Sequence, residues 1–304
     1  MKRLIYIVGC LTCLLTACGK EELGESLIDT STPVLNETDK WIRQNYTTPL
    51  NVEVKYKWDL SELDQSKVLT PAKLENVQPF LLELKKIWID PYVKNGGADF
   101  MKKYMPKLIV LVGSRNFNYD GSIVLGQAES GRKVTIFDLN YITFDFTGMN
   151  DWDKETVINT VARTMRTMHH EFGHILHQTV AYPVEYKKIT TNYTSSWMNY
   201  NDSEARRMGF ISAYSMLNPN EDFVEMLSTF LTMSNANWNK LVNNIVVYDK
   251  DDNEDAEASE KARSLIRAKE KFIADYMQQV WKINFYDLQA DISKGMDELR
   301  SGKF

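Results

Sequence analysis

Between residues 151 and 179 apolar side chains return every three or four positions, and the pattern predicts one long amphipathic helix over 152–179. With His170 set at 0° and about 100° added per residue, Val161, Met165, Met168, Phe172, Ile175 and Leu176 fall between about 140° and 240°. Further helical stretches are expected at 220–235, 256–281 and 286–300, the first opened by Pro219 and Asn220. Upstream the pattern differs. Thr38–Tyr46 reads as a short helix, and Asn51–Trp58 (NVEVKYKW) alternates apolar and polar residues as a half-buried strand does. A helix is expected from Pro71 to Lys94, with Asn95-Gly-Gly97 stopping it. Three strands follow at Lys107–Gly113, Ser122–Gln127 and Lys133–Leu139, separated by turn residues at Tyr119-Asp-Gly121 and Ser130-Gly131. The sum is an α+β chain with a small sheet first and helices after.

The first residues have a different character. Lys2-Arg3 precedes an apolar run of 12 residues, Leu4 to Leu15, too short to span a bilayer as a permanent helix. It ends in Leu15-Thr16-Ala17-Cys18, which looks like a bacterial lipobox. That implies removal of 1–17, diacylation of Cys18 and a polar tether over 18–35, and two acyl chains suffice for stable anchoring. Cys10 and Cys13 lie in the removed segment, so the mature chain has no free thiol for disulfides or metal binding. Gly19-Lys-Glu-Glu22 resembles a surface-export signal of lipoproteins in some Gram-negative bacteria. The folded part divides into 36–150, an α/β part, and 151–304, a helical part, which together would form one catalytic unit.

The net charge of -5 argues against nucleic acid as a partner, because neutralising phosphates needs a basic surface. Without Lys2 and Arg3 the count is 34 basic against 41 acidic residues, or -7. The acidic run Asp249–Asp255 lacks the glycine of an EF-hand loop and reads as a solvated turn.

Candidate chemistry concentrates in one place. All four histidines lie in Met168-His-His-Glu-Phe-Gly-His-Ile-Leu-His177. His170-Glu-Phe-Gly-His174 is HExxH: two imidazoles at i and i+4 face one metal ion, and Glu171 can take a proton from a metal-bound water. His174 falls at about 40°, opposite the apolar stripe. His177 falls on the same side at about -20°, yet seven residues of helix rise ~10.5 Å, too far for it to share an ion with His170. It is expected beside the ligands or on the cleft wall. His169, at about -100°, is given no role.

With no further histidine or cysteine, the third ligand must be a carboxylate or a carbonyl oxygen. The segment Asn218-Pro-Asn-Glu-Asp-Phe-Val-Glu225 offers Glu221 and Glu225 at i and i+4. One can ligate, and the other can accept a hydrogen bond from a ligand histidine and fix its tautomer.

HEFGH followed by a Glu-x-x-x-Glu helix resembles the gluzincin zinc peptidases, and in particular the anthrax lethal factor and Pro-Pro endopeptidase branch. The resemblance implies a zincin-like fold, one zinc per chain on His170, His174 and Glu221, and a supporting role for Glu225. It also implies a transition-state role for a tyrosine seven residues before the ligand glutamate, which here is Tyr214. The lipobox, the segment from Asp39–Arg43 to Trp58-Asp59, and Asn218–Glu225 are together similar to bacterial zinc metallohydrolase lipoproteins associated with TonB-dependent nutrient importers. The expectation is a lipid-anchored metallopeptidase at the outer-membrane surface that cleaves a peptide or protein. Its importer complex follows from the resemblance alone. In this class an extended peptide adds to an edge strand above the zinc, and Lys133–Asp138 is the candidate edge. The rival reading is an accessory lipoprotein with a structural, closed zinc site, and a non-peptide amide substrate is a third. Specificity would lie in loops such as Tyr182–Tyr200.

Overall fold

Leu108-Ile-Val-Leu111 has no polar position, and such a run suits a strand covered on both faces. In the structure, a computed structural model, it is an inner strand of a four-stranded sheet. The structure describes residues 34–302 apart from 119, 120, 122, 125 and 130. The lipobox and nearly all of the tether lie outside them. The chain divides into two units at Asn36, and the second, Glu37–Phe304, holds every element below.

Helix α1 (Glu37–Ile42) runs on through a π turn (Arg43–Thr47) to a last turn at Thr48–Leu50, and Asn51 in the left-handed region ends it. Strand β1 is only Glu53–Lys55, shorter than the alternating pattern predicts. Helix α2 (Leu74–Leu84) passes through a π turn (Lys85–Ile89) into α3 (Asp90–Gly96). Pro71 does not open it: that residue bridges to Val112, and the helix starts three residues later. The π turn directly precedes Asp90-Pro91, where proline has no N–H for an ordinary helical bond. Helix α4 (Ala98–Tyr104) leads into β2 (Leu108–Leu111). The expected strand at 122–127 is two strands, β4 (Ile123–Val124), paired with β3 (Asn116–Phe117), and β5 (Gly126–Glu129). β6 (Lys133–Ile136) completes the sheet.

The sheet order is β1-β2-β6-β5, with the first three parallel and β5 antiparallel to β6. The candidate edge Lys133–Asp138 is therefore not an edge. A reversal at Gly131, whose φ of 68° suits glycine, folds β5 back over β6 and leaves β5 outermost. Val134, Thr135, Ile136 and Phe137 are all buried, as an inner strand requires.

Helix α5 (Asp151–Thr179) is 29 residues long, and the Asn150 side chain caps it by accepting from Asp153 N–H. Its buried stripe contains Val161, Met165, Met168, Phe172, Ile175 and Leu176, with the Phe172 ring edge-on to Trp88 and Tyr92. The helical remainder comprises α6 (Asp202–Arg207), α7 (Pro219–Leu231), α8 (Asn235–Asn243), α9 (Ala256–Tyr276) with a π turn (Met277–Trp281), and α10 (Phe285–Arg300). The fold is mixed α+β. Helix α7 stops at Leu231, short of the expected residue 235, and α8, capped by Ser234, is a helix the sequence pattern does not predict. In the acidic loop, Asp249 accepts from the Asp251 and Asn253 N–H groups, as a turn does.

Candidate metal centre

Two helices build the site. HExxH sits in the C-terminal half of α5, and the two glutamates sit in the first two turns of α7. Asn218 starts α7 by accepting from both Asn220 and Glu221 N–H, with Pro219 next in the chain, so Glu221 is fixed at the helix entrance. The helices meet at Gly173. A Cβ built there would come within 3.0 Å of Val224 Cγ1, so glycine in HEFGH lets α7 approach closely. On the opposite flank β5 runs beside α5: a Cβ at Gly126 would meet Thr167 Cγ2 at 2.9 Å, and one at Gly131 would meet Ile175 Cγ1 at 3.4 Å. On the angular scale used above, α7 lies near -60° and β5 between about 60° and 140°. The histidine face therefore forms the floor of a cleft between them.

At that floor His170 Nε2 and His174 Nε2 lie 3.2 and 3.3 Å from the same oxygen, Glu221 Oε2. Bonds of ~2.0–2.1 Å in tetrahedral geometry place neighbouring ligand atoms ~3.3 Å apart, so the three atoms have the spacing of one face of a zinc site. Glu221 Oε2 is buried, and neither imidazole contact has the geometry of a hydrogen bond. Such an orphaned acceptor, flanked by two ring nitrogens, fits a cation. Among the described residues, these three form the group of His, Cys, Asp or Glu side chains that could hold a metal ion. Burial opposes charge on Glu221, but the two imidazoles outweigh it and hold its carboxyl well below the usual range.

The other ring nitrogens are occupied. His170 Nδ1 lies 2.9 Å from Glu225 Oε1, so its N–H donates there; burial opposes charge on the ring, but Glu221 and Glu225 raise its pKa to about 9, and a metal would take the place of the Nε2 proton. Glu225 also accepts from Arg166 at 2.5 Å and from Ser212 Oγ at 2.6 Å. Burial pushes its pKa up, but Arg166, His170 and Ser212 together bring it down to about 2. His174 Nδ1 lies 3.0 Å from His177 Nε2. His177 is packed against Tyr182 and Phe223, and burial lowers its pKa to about 4, so it is neutral and can accept the His174 proton.

Tyr214 is seven residues before Glu221 and sits in a 3-10 turn (Tyr214–Met216), its ring centroid 6.1 Å from that of His170 and 5.0 Å from Trp197. Burial and the charge of Glu221 push its hydroxyl well above the ordinary tyrosine range. Glu171 is half-buried, on the β5 side of His170. His169, given no role, is fully buried beside Tyr92, where burial lowers its pKa to about 3. Arg166 and Ser212 escaped the sequence reading. Arg166 had a signal, being four residues before His170 on the same face; Ser212 had none.

Residues 31–286 match a family model described as "Putative zinc-binding metallo-peptidase". The chain belongs to that family. The family members' shared description thus agrees with the zinc-sized spacing of His170, His174 and Glu221. A crystal structure of a "putative zinc-binding metallo-peptidase" from Bacteroides caccae is similar, with a TM-score of 0.66 and 28% identity over 88% of this chain and 96% of that one. No curated protein matches.

Proposed function

We propose that this member of the zinc-binding metallopeptidase family is a gluzincin-type hydrolase that cleaves peptide bonds, with one zinc held by His170, His174 and Glu221. The observation that carries the reading is the buried Glu221 Oε2, placed 3.2 and 3.3 Å from two imidazole nitrogens whose rings are oriented from behind. When bound, the metal would supply Lewis acidity to a water and to the scissile carbonyl. Glu171, beside His170, takes the proton from that water and gives it to the leaving amine. Tyr214 stays protonated at neutral pH and donates toward the oxygen on which charge develops. Glu225 and His177 position the ligand imidazoles. A peptide laid along β5, the outer strand beside α5, would pass over this floor by β-augmentation.

The lipobox ending at Cys18 supports an anchor in the outer membrane, and the export-like segment after it supports display at the cell surface. Association with a TonB-dependent importer rests on the sequence resemblance.

The deciding experiment pairs zinc content with cleavage of a diverse peptide library, for the chain and its Glu171→Ala variant. One zinc in both, with cleavage lost in the variant, is expected. Stoichiometric zinc with no cleavage by either would favour an accessory protein with a structural metal. No zinc in either would sink the site.

A further inference from the structure

The half of the cleft N-terminal to His170 carries positive charge. Arg166 and Arg163 lie one and two turns before His170, at about -40° and 20° on the helical scale, so both share the cleft face. Arg206 lies close enough to Arg166 for their charges to repel, and Arg115 binds Asp138 one strand away. Most of this charge is already matched. Arg166 is held by Glu225 at 2.5 Å, Arg115 by Asp138 at 2.9 Å, and Arg206 by the Ile211 carbonyl at 3.1 Å and Asp202 at 3.4 Å. Four guanidiniums thus face three carboxylates.

The unmatched one is Arg163. It is exposed and has no hydrogen bond or ion pair among the described residues; its charge acts on Asp138, which is bonded to Arg115 instead. A solvated arginine on a helix is ordinary, but this one shares the helical face of His170 and His174, one turn before the point where β5 begins. Seven residues separate it from His170, or ~10.5 Å along the axis. Toward the other end of α5, Lys187 lies 5.8 Å above the Tyr182 ring, and Lys103, Lys107 and Arg132 gather near Gly131 and Ile175.

The outer strand gives the charge a direction. β5 starts beside Thr167 and the following turn reaches Ile175, so it runs the same way as α5. A peptide added to β5 in the antiparallel sense, the more stable pairing per residue, runs the opposite way. Its C-terminal arm then lies over Arg163. At ~3.4 Å per extended residue, ~10.5 Å corresponds to about three residues.

We propose that Arg163 binds a substrate carboxylate two or three residues on the C-terminal side of the scissile bond, so that the preferred substrates carry an acidic residue or the free chain end there. A guanidinium matches a carboxylate with two parallel hydrogen bonds, which adds register as well as affinity. The inference rests on the peptidase reading and deepens it.

Two readouts test it. In library cleavage by the zinc-loaded chain, mass spectrometry of the products should show Asp, Glu or a free C-terminus enriched two or three residues after the cut bond. Arg163→Gln should lower kcat/KM for such a peptide at least tenfold and abolish its advantage over the matched Gln peptide. Amidated peptides with an internal Glu, set against neutral peptides with a free C-terminus, identify which carboxylate is read. The second readout is anisotropy of labelled peptides on the Glu171→Gln chain, where affinity for the acidic peptide should fall with added salt and with Arg163→Gln. Cleavage with no acidic preference, or with one that Arg163→Gln leaves intact, overturns the inference and spares the hydrolase. No cleavage, but binding that depends on Arg163, defeats the peptidase reading and supports the carboxylate site. Neither cleavage nor such binding overturns both.

Discussion

Glu225 is nearly buried and charged because three donors converge on it: Arg166, His170 and Ser212. Replacing it by Gln keeps the size but removes the charge that fixes the His170 tautomer. Zinc affinity should fall 10–100-fold, the usual cost of losing such a partner, measured by competition with a chromogenic chelator. A variant that binds as tightly as the parent would show that Glu225 serves packing alone. At His174 the partner is a neutral imidazole, so His177→Phe should weaken zinc less than Glu225→Gln does, in the same assay. HExxH and the two glutamates were legible in the sequence because i, i+4 spacing is a property of one helix. Ser212 was not, because its place beside Glu225 depends on how a loop returns to α7. Arg163 and Arg166 stood in view on the same helical face, but nothing local distinguishes a cleft arginine from a solvated one.

Among elements, the contact of α5 with α7 decides the spacing of the ligands. Gly173→Ala would place a Cβ 3.0 Å from Val224 Cγ1, so the helices must part by a few tenths of an ångström. Alanine favours the helix by roughly 0.5–1 kcal/mol over glycine, whereas overpacking costs about 1–3 kcal/mol. The expected outcome is a small loss of stability in urea and a clear loss of zinc affinity, because Glu221 moves with α7. Val224→Ala removes the obstructing methyl groups, and the double variant should recover affinity in a double-mutant cycle. An additive cycle would locate the strain elsewhere. The long helices carried their own period and were legible to within a few residues, whereas the short α4 and α6 were not expected. Strand order was not: the Lys-Val-Thr-Ile sequence of β6 suits an edge, yet Val134, Thr135 and Ile136 are buried because the reversal at Gly131 lays β5 beside it. Helix α8 was hidden because the expected helix ran to residue 235, past the true end at Leu231 and over the Ser234 cap that opens the next.

The whole molecule is tied across its helical half by Lys269 and Asp222, both with fully buried side chains and 2.7 Å apart. Lys269 also donates to the Gly209 carbonyl at 2.8 Å, and Tyr193 donates to Asp222 at 3.0 Å, so the pair fastens the segment before Tyr214 to α7 and α9. Lys269→Met leaves Asp222 buried without its cation and should cost about 3–5 kcal/mol in chemical denaturation. A change below 1 kcal/mol would mean that water reaches the pair. Metal removal should also be felt globally, since a ligand held only by the folded state stabilises it by ~4 kcal/mol at a thousandfold excess over Kd. Chelation should therefore lower Tm by several degrees and readdition restore it; an unchanged Tm would argue against a tightly held ion. The Lys269–Asp222 tie could not be read from local pattern, because it joins residues 47 positions apart with no motif to mark either one.

The unbroken length of α5 has a consequence for how such a chain can diversify. Arg163, Arg166, His170 and His174 are marks on one rigid rod. Their separations change only in whole-residue steps, and each inserted or deleted residue also turns everything beyond it by about 100°. The distance between the HExxH histidines and the two arginines is thus quantised. A one-residue insertion would swing the arginines out of the cleft, and a usable new spacing requires three or four residues at once. Relatives that handle longer or shorter substrates are therefore expected to differ in the loops above the cleft, with the ruler itself left unchanged.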